Sequence, residues 1–345
     1  MRESSRIAST VITDEGINNH VLGEFALIQK YFTHRTHHTL LGVGDDAALI
    51  RPRRGHVLAV SADMLVEGRH FFRGADPQAL GHKALAVNLS DLAAMGATPR
   101  WATLALALPA ADASWLAAFS RGFMRLARAH NVDLIGGDTT RGPLTLCVQI
   151  LGEVPAAKAL RRDGARAGDD IWVSGTLGDA ALAVAARSKK IVISKQQLTS
   201  ASRRLDKPTP RVALGMALCG IARSAIDISD GLLADLGHIC ERSGVRAQID
   251  VDALPVSRTM RGMRCTAVGG RLLLGGGDDY ELCFTAPPSR RAAVLRAGAH
   301  AGVAVTRVGE ICTRRSNPQS GPVSVINALG VLVTLDGVKG FDHFG

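Results

Sequence analysis

The stretch Asp76–Gly96, DPQALGHKALAVNLSDLAAMG, constrains the fold more than any other. Asp76 followed by Pro77 reads as a helix start, because Asp accepts from free backbone N–H groups and Pro at the first helical position loses nothing by lacking its own. Gly96 reads as the stop. Between them Ala, Leu and Val dominate, which predicts a helix buried on most sides. Asn88 and Asp91 lie three residues apart in its middle, and therefore on one face. A carboxylate in such a helix needs a partner or a bound cation. On Asp91 alone, a cap or buried ion pair and a cation site are both open.

At 345 residues the chain is long enough for two ordinary domains, and with 46% hydrophobic and 21% charged residues it is globular rather than disordered. No apolar run reaches the roughly 18 residues of a membrane helix. Residues 1–22 lack the apolar block of a signal peptide and are expected to be a poorly ordered extension. The six cysteines are scattered without a CxxC pair, which predicts reduced, buried thiols in a cytoplasmic protein. The formal charge is +10, but the basic residues come in twos and threes and aromatics make up only 4%. Stacking platforms for single-stranded nucleic acid are therefore scarce, and the charge reads as a solvated surface that attracts anionic substrates.

GEFALIQKYF, at residues 23–32, has helical spacing and begins the folded part. In LGVGDDAALI, glycines flank Asp45 and Asp46, a pair that marks either a solvated turn or a cation site. HVLAVSADML predicts a strand with Asp63 near its C-terminal end, where sites in α/β proteins are built, and VEGRHF adds His70 in a loop. TLALALP predicts a buried strand, and a helix follows through Trp115 to His130. VDLIGGDTTRG predicts a strand that runs out into Gly136 and Gly137 and then Asp138. Four Asp-bearing segments thus recur at the edges of apolar elements, more than chance turns explain.

A boundary is expected between Pro155 and Asp170, dividing the chain into domains at 23–155 and 156–345. IWVSG predicts a strand, and GTLGD either a phosphate-holding or a tight structural turn before a helix. Residues 187–211, basic and polar, read as a mobile connection. SAIDISDGLLADLGHI predicts a strand carrying Asp227, a turn with Ser229 and Asp230, and an amphipathic helix that Asp230 is placed to cap. LLLGGGDDYELCFTAP joins a glycine turn, Asp278 and Asp279 to a strand. The alternation argues for two α/β domains.

Asp45, Asp63, Asp91, Asp138 and Asp227 repel one another if clustered, so the cluster calls for divalent cations. Asp oxygens and backbone carbonyls suit Mg²⁺ with substrate phosphates as further ligands, and the His and Cys spacing of a zinc site is absent. Several Mg²⁺ ions with phosphates point to phosphoryl transfer. Neither GxxxxGK[ST] nor the protein-kinase HRD and DFG motifs occur.

GDDAALI, SADML, HF, NLSDLAAMGA, LIGGDTTRGPL, IDISDGLLADLGHI, GGDDYELCF and GFDHF resemble, in order, the successive motifs of the thiamine-monophosphate kinase family. The resemblance runs from Gly23 to the C-terminus. It implies an α/β (α+β) two-domain fold like that of aminoimidazole ribonucleotide synthetase, with N-terminal domains pairing through their sheets into a homodimer. It further implies direct transfer of the γ-phosphate of ATP to thiamine monophosphate. By the family pattern, Asp45, Asp46, Ser61, Ala62, Asp63, Asp91, Asp138, Asp227 and Asp230 are the Mg²⁺ ligands. Gly137, Asp138, Arg162 and Ser229 hold ATP, and His70, Asp278 and Phe341 hold the thiamine substrate. The acceptor phosphate, with a second pKa of about 6, is already largely a dianion at neutral pH, so no general base is required. Phe341 is suited either to stack on the thiazolium or to anchor the core.

Three departures from the family stand out: Ala62 replaces the usual Thr, Asp278 replaces the usual Glu, and the N-terminal extension has no counterpart. The rival readings are another ATP-dependent enzyme of this fold, such as selenophosphate synthetase, and an ATP-binding relative without turnover. Selenophosphate synthesis is expected to use a reactive Cys near the N-terminus, and the first Cys here is Cys147. A nucleic-acid-binding protein, allowed by the charge, leaves the carboxylates unexplained.

Overall fold

The computed structural model describes residues 24–313 and 321–333. The N-terminal extension and the GFDHF segment with Phe341 lie outside them. In chain order the first half holds α1 (Glu24–Tyr31), β1 (Thr39–Leu41), β2 (Leu49–Ile50), β3 (His56–Val66), α2 (Pro77–Ala94), β4 (Thr98–Leu108), α3 (Ala113–Ala129), β5 (Asp133–Arg141) and β6 (Thr145–Pro155). The second half holds β7 (Asp170–Ser174), α4 (Asp179–Arg187), α5 (Lys195–Asp206), α6 (Val212–Leu218), β8 (Ser224–Asp227), α7 (Leu232–Ser243) and β9 (Arg246–Asp250). It closes with α8 (Ala267–Gly275), β10 (Leu282–Ala286), α9 (Arg291–His300), β11 (Val305–Cys312) and β12 (Val323–Ile326).

The first half builds a sheet in the order β3-β6-β4-β5, and the second half one in the order β12-β9-β11-β7-β10-β8. Only β4–β5 and β9–β12 are parallel in these two sheets; the other pairs are antiparallel. The architecture is therefore of the mixed α+β kind, with helices laid over mostly antiparallel sheets.

Helix α2 is the hub. Asp76 caps it by accepting from Ala79 N, Pro77 opens it, and Gly96 follows it at φ 66°. Its residues are buried nearly all round because β3 and β6 cover one side while α3, α6 and β8 cover the others. The crossings are close enough to require glycine. A Cβ on Gly81 would stand 2.1 Å from Phe119 O, one on Gly122 would stand 1.9 Å from Gln78 O, and one on Gly215 would stand 2.0 Å from Ala93 O. Leu85, Leu89 and Leu92 of α2 join Phe119 and Phe123 of α3 and Val148 and Ile150 of β6 in the core.

Two local expectations are overturned. Residues 187–211 are not a free connection, since Ser194 and Gln197 form a capping box that starts α5, Arg187 is paired with Asp206, and Arg204 and Arg211 both bind Glu281. Three of their basic residues, Arg187, Arg204 and Arg211, are thus engaged by carboxylates. Strand β5 does not end at Gly136 and Gly137 but continues through Asp138 to Arg141, because Gly137 pairs against Leu104, whose carbonyl oxygen would lie 1.8 Å from any Cβ there.

Of the cysteines, Cys240 and Cys283 are buried, Cys265 is exposed, and the other three are half-buried; all six are free thiols. The expectation of buried thiols thus holds in part, and Cys265 departs from it.

Candidate active site

Strand periodicity divides the first sheet. Ser61 and Asp63 of β3 fall on the face covered by α2, while Ala62 falls on the open face with Val60 and Met64. Helix α2 brings Asn88, Ser90 and Asp91 to the covered side. Ser61 Oγ donates to Asp91 Oδ2, and Asn88 Oδ1 accepts from Asp63 N at 3.2 Å. From the second half, β8 ends at Asp227, whose Oδ2 accepts from Ser90 Oγ at 2.8 Å. Asp63, Asp91 and Asp227, distant in sequence, meet here.

No basic side chain makes a recorded ion pair with any of the three, among the described residues, and their acidity shows the consequence. Burial, then the charge of Asp91 and a hydrogen bond with it, pushes Asp63 up to about 7. Burial pushes Asp227 up to about 8, with the Asp91 charge adding to it against the Ser90 hydrogen bond. Asp91 is also raised by burial, although Ser61, Arg162 and Asp63 oppose the shift. Carboxylates in this condition hold protons at neutral pH or share a cation. The fit to Mg²⁺ is therefore favourable in donor chemistry. Among the described residues no three carboxylate, imidazole or thiolate groups close on one metal position.

Arg162 joins Ser61, Asp91 and Asp227 around a cavity of about 200 Å³. A larger cavity of about 1260 Å³ begins at Asp63 and is bounded by His70, Ser229, Asp230 and Asp278. His70 Nδ1 accepts from Val66 N at 2.9 Å, which places the neutral ring's proton on Nε2. Asp230 does not cap α7. Asp235 does the corresponding work, its Oδ2 accepting from the N–H groups of Ser229, Asp230 and Gly231 at 3.1 Å each. This residue was not legible as functional in sequence, where it reads as one more polar position on an amphipathic helix. The GTLGD turn is structural: Gly178 N donates to both oxygens of the buried Asp279, so the start of α4 is already occupied by the protein's own carboxylate.

The remaining predicted residues stand apart. Asp45 and Asp46 sit exposed in the turn between β1 and β2, with Asp46 N donating to Asp45 Oδ1. That turn is anchored at both ends, since Asp133 accepts from His37 N, His38 N and Thr39 Oγ1, and Glu153 accepts from Arg53 N. Asp138 is exposed and pairs with Ala105, which puts it on the open face of the sheet rather than the side of Asp91. Gly137 is its neighbour in β5.

Two family models cover the chain: AIR synthase related protein, N-terminal domain, over residues 44–154, and its C-terminal domain over residues 166–317. The thiamine-monophosphate kinase of Salmonella typhimurium is 46% identical over 330 residues, covering 93% of this chain and 98% of that protein. The chain belongs to the thiamine-monophosphate kinase family. Among solved structures of this family, the enzyme from Stenotrophomonas maltophilia K279a superposes with a TM-score of 0.77 at 47% identity, over 87% of this chain and 93% of that one. A structure described as AaThiL complexed with AMPPCP and TMP gives a TM-score of 0.72 at 31% identity, over 93% and 97% of the two chains.

Proposed function

We propose that the protein transfers the γ-phosphate of ATP directly to thiamine monophosphate, giving thiamine diphosphate and ADP. The observation that carries this is the meeting of Asp63, Asp91 and Asp227, with no recorded arginine or lysine ion pair among the described residues, beside a small cavity and a large one. Asp63, Asp91, Asp227 and Asp230 with Ser61 are the groups assigned to Mg²⁺, and Ala62 is able to serve only through its backbone carbonyl. Mg²⁺, when bound, neutralises these carboxylates and the phosphates of the nucleotide.

The chain's own residues do the rest by positioning. Arg162, beside Asp91, draws nucleotide phosphates toward the small cavity, and Ser229 borders the large one. His70 and Asp278 border the space for the acceptor, whose phosphate needs no base to become nucleophilic. The fixed backbone of the Ser229–Gly231 turn, held by Asp235, keeps Asp230 in register with Asp227.

The assembly is read as a homodimer. Val60 and Met64, 54% and 57% exposed, give the open face of the first sheet an apolar surface with Ala62, and Leu40, Leu41 and Leu49 beside it are exposed as well. A second copy covering that face brings Asp45, Asp46, Gly137 and Asp138 of one protomer to the nucleotide site of the other. The division into domains at 23–155 and 156–345 and a cytoplasmic location complete the reading. Among the described residues, no helix is long and apolar enough to cross a membrane.

Purified protein incubated with ATP, Mg²⁺ and thiamine monophosphate is expected to form thiamine diphosphate and ADP in equal amounts, and EDTA is expected to stop both. ATP binding with neither product overturns the reading.

A further inference from the structure

The wall of the large cavity carries an ion pair whose lysine has no part in the reaction as proposed. Lys83 of α2 is only 4% exposed, yet its Nζ reaches across to the second half of the chain and donates to Asp278 Oδ1 at 2.9 Å. Tyr280 Oη donates to the same oxygen at 3.2 Å. Oδ2 has no recorded protein donor among the described residues. All three side chains line the large cavity.

The loop carrying Asp278 is held in a conformation that ordinary residues avoid. Asp278 and Tyr280 have φ of 66° and 50°. Their N–H groups donate to Ser229 O at 2.9 Å and Ile228 O at 2.8 Å, which locks the loop to the turn that bears Asp230. The glycines before it are required, since a Cβ on Gly277 would meet Ser229 O at 2.3 Å. Backbone strain of this kind persists where the surroundings over-determine it, and it gathers at binding sites. A buried lysine serves stability poorly, because an apolar side chain of similar volume fills such a position at no desolvation cost.

Building on the proposed reaction, we propose that Lys83 is a positioning residue for the acceptor. With Tyr280 it pins one oxygen of Asp278, so that Oδ2 is presented to the donor groups of thiamine monophosphate. Lys83 also stands eight residues before Asp91 on one helix, about 12 Å along its axis. A single rigid element therefore spaces the acceptor's anchor from the carboxylates that face the phosphates.

The test is a steady-state comparison of full-length wild type with Lys83→Met, Asp278→Asn, the double variant and Tyr280→Phe. Lys83→Met is expected to raise KM for thiamine monophosphate at least about tenfold, the range of a lost hydrogen bond to a charged group, with KM for ATP and kcat changed less than about threefold. Added to Asp278→Asn, it is expected to cost less than about twofold more, because it acts through that carboxylate. Tyr280→Phe, which keeps the ring packed, is expected to raise the same KM about threefold, and it stands as the test if Lys83→Met does not fold. An unchanged KM for thiamine monophosphate in the folded variants, or full additivity in the double variant, overturns the inference while wild-type turnover leaves the proposed reaction standing. A wild type that makes no thiamine diphosphate overturns both.

Discussion

Two sets of buried carboxylates in this molecule meet opposite environments. Asp170, at the start of the interior strand β7 of the second sheet, accepts from Arg291 at 2.6 and 2.7 Å and from Arg307. Burial pushes its carboxyl up, but the two arginines outweigh it and hold it below the usual carboxylate range. Glu153 is likewise raised by burial and brought lower by the Arg53 N–H and by Arg100. Glu281, fully buried, takes Arg204, Arg211 and Ser174. Asp63 and Asp227 in the cleft have serine or asparagine neighbours and one another, and both are pushed up. Asp170, Glu153 and Glu281 each meet at least one arginine supplied by the fold. Asp63 and Asp227 have no recorded ion pair with a basic side chain among the described residues.

The largest effect follows from the unpaired set. Asp91→Asn and Asp227→Asn are expected to keep the fold and lower kcat by about 1,000-fold, because in the proposed reaction each removes charge that serves the transferring phosphate, a contribution of several kcal/mol. Near-normal turnover in both purified proteins would erase the distinction between the two sets. Asp138→Asn should be as inactive, yet mixing it with Asp91→Asn after denaturation and refolding should restore activity to about a quarter of wild type, since half the dimers are then mixed and each has one intact site. Absence of restoration would put Asp138 outside the partner's site.

The paired set should respond in stability rather than rate. Arg211→Met leaves Glu281 buried with one arginine fewer and is expected to lower unfolding free energy by about 3 kcal/mol in urea titrations. A change below about 1 kcal/mol would mean that Arg204 suffices.

A stability effect of comparable size is in pH. In metal-free protein, Asp63 and Asp227 hold protons up to about 7 and 8 when folded, against 3.8 for an ordinary Asp, so the folded state binds more protons than the unfolded one. Their contribution is fully present below about 3.8 and is lost as pH rises through the folded values, on the order of 1 kcal/mol per pH unit for each group. Asp170 and Glu153 act with the opposite sign, and their contribution fades as pH falls through their lowered values. Urea unfolding in EDTA at pH 6 and pH 8 should show lower stability at pH 8, and Asp227→Asn should narrow the gap. A wild type more stable at pH 8 would reverse the assignment.

Much of this was legible along the chain. Asp76–Pro77 and Gly96 marked helix α2 because capping is a local matter of a few backbone groups. The motifs around Asp63, Asp91 and Asp227 marked acidic positions at the ends or centres of apolar elements. Less visible were Asp235, which satisfies three N–H groups of a neighbouring turn, and Lys83, whose partner lies 195 residues away. The basic stretch from Arg187 to Arg211 misled because the sequence displays its charges but not the carboxylates that absorb them.

By itself, the sequence determined most of the elements, the family and the carboxylates available for chemistry, because these depend on residue type, period and order. Only the tertiary structure decided which of those carboxylates share a space. Alternation along β3 sends Ser61 and Asp63 toward α2 and Ala62 away from it, and pairing with β4 places Asp138 on that same outer face. Whether a buried Asp meets an arginine, a serine or another Asp is settled by packing between distant segments, and that meeting sets its charge.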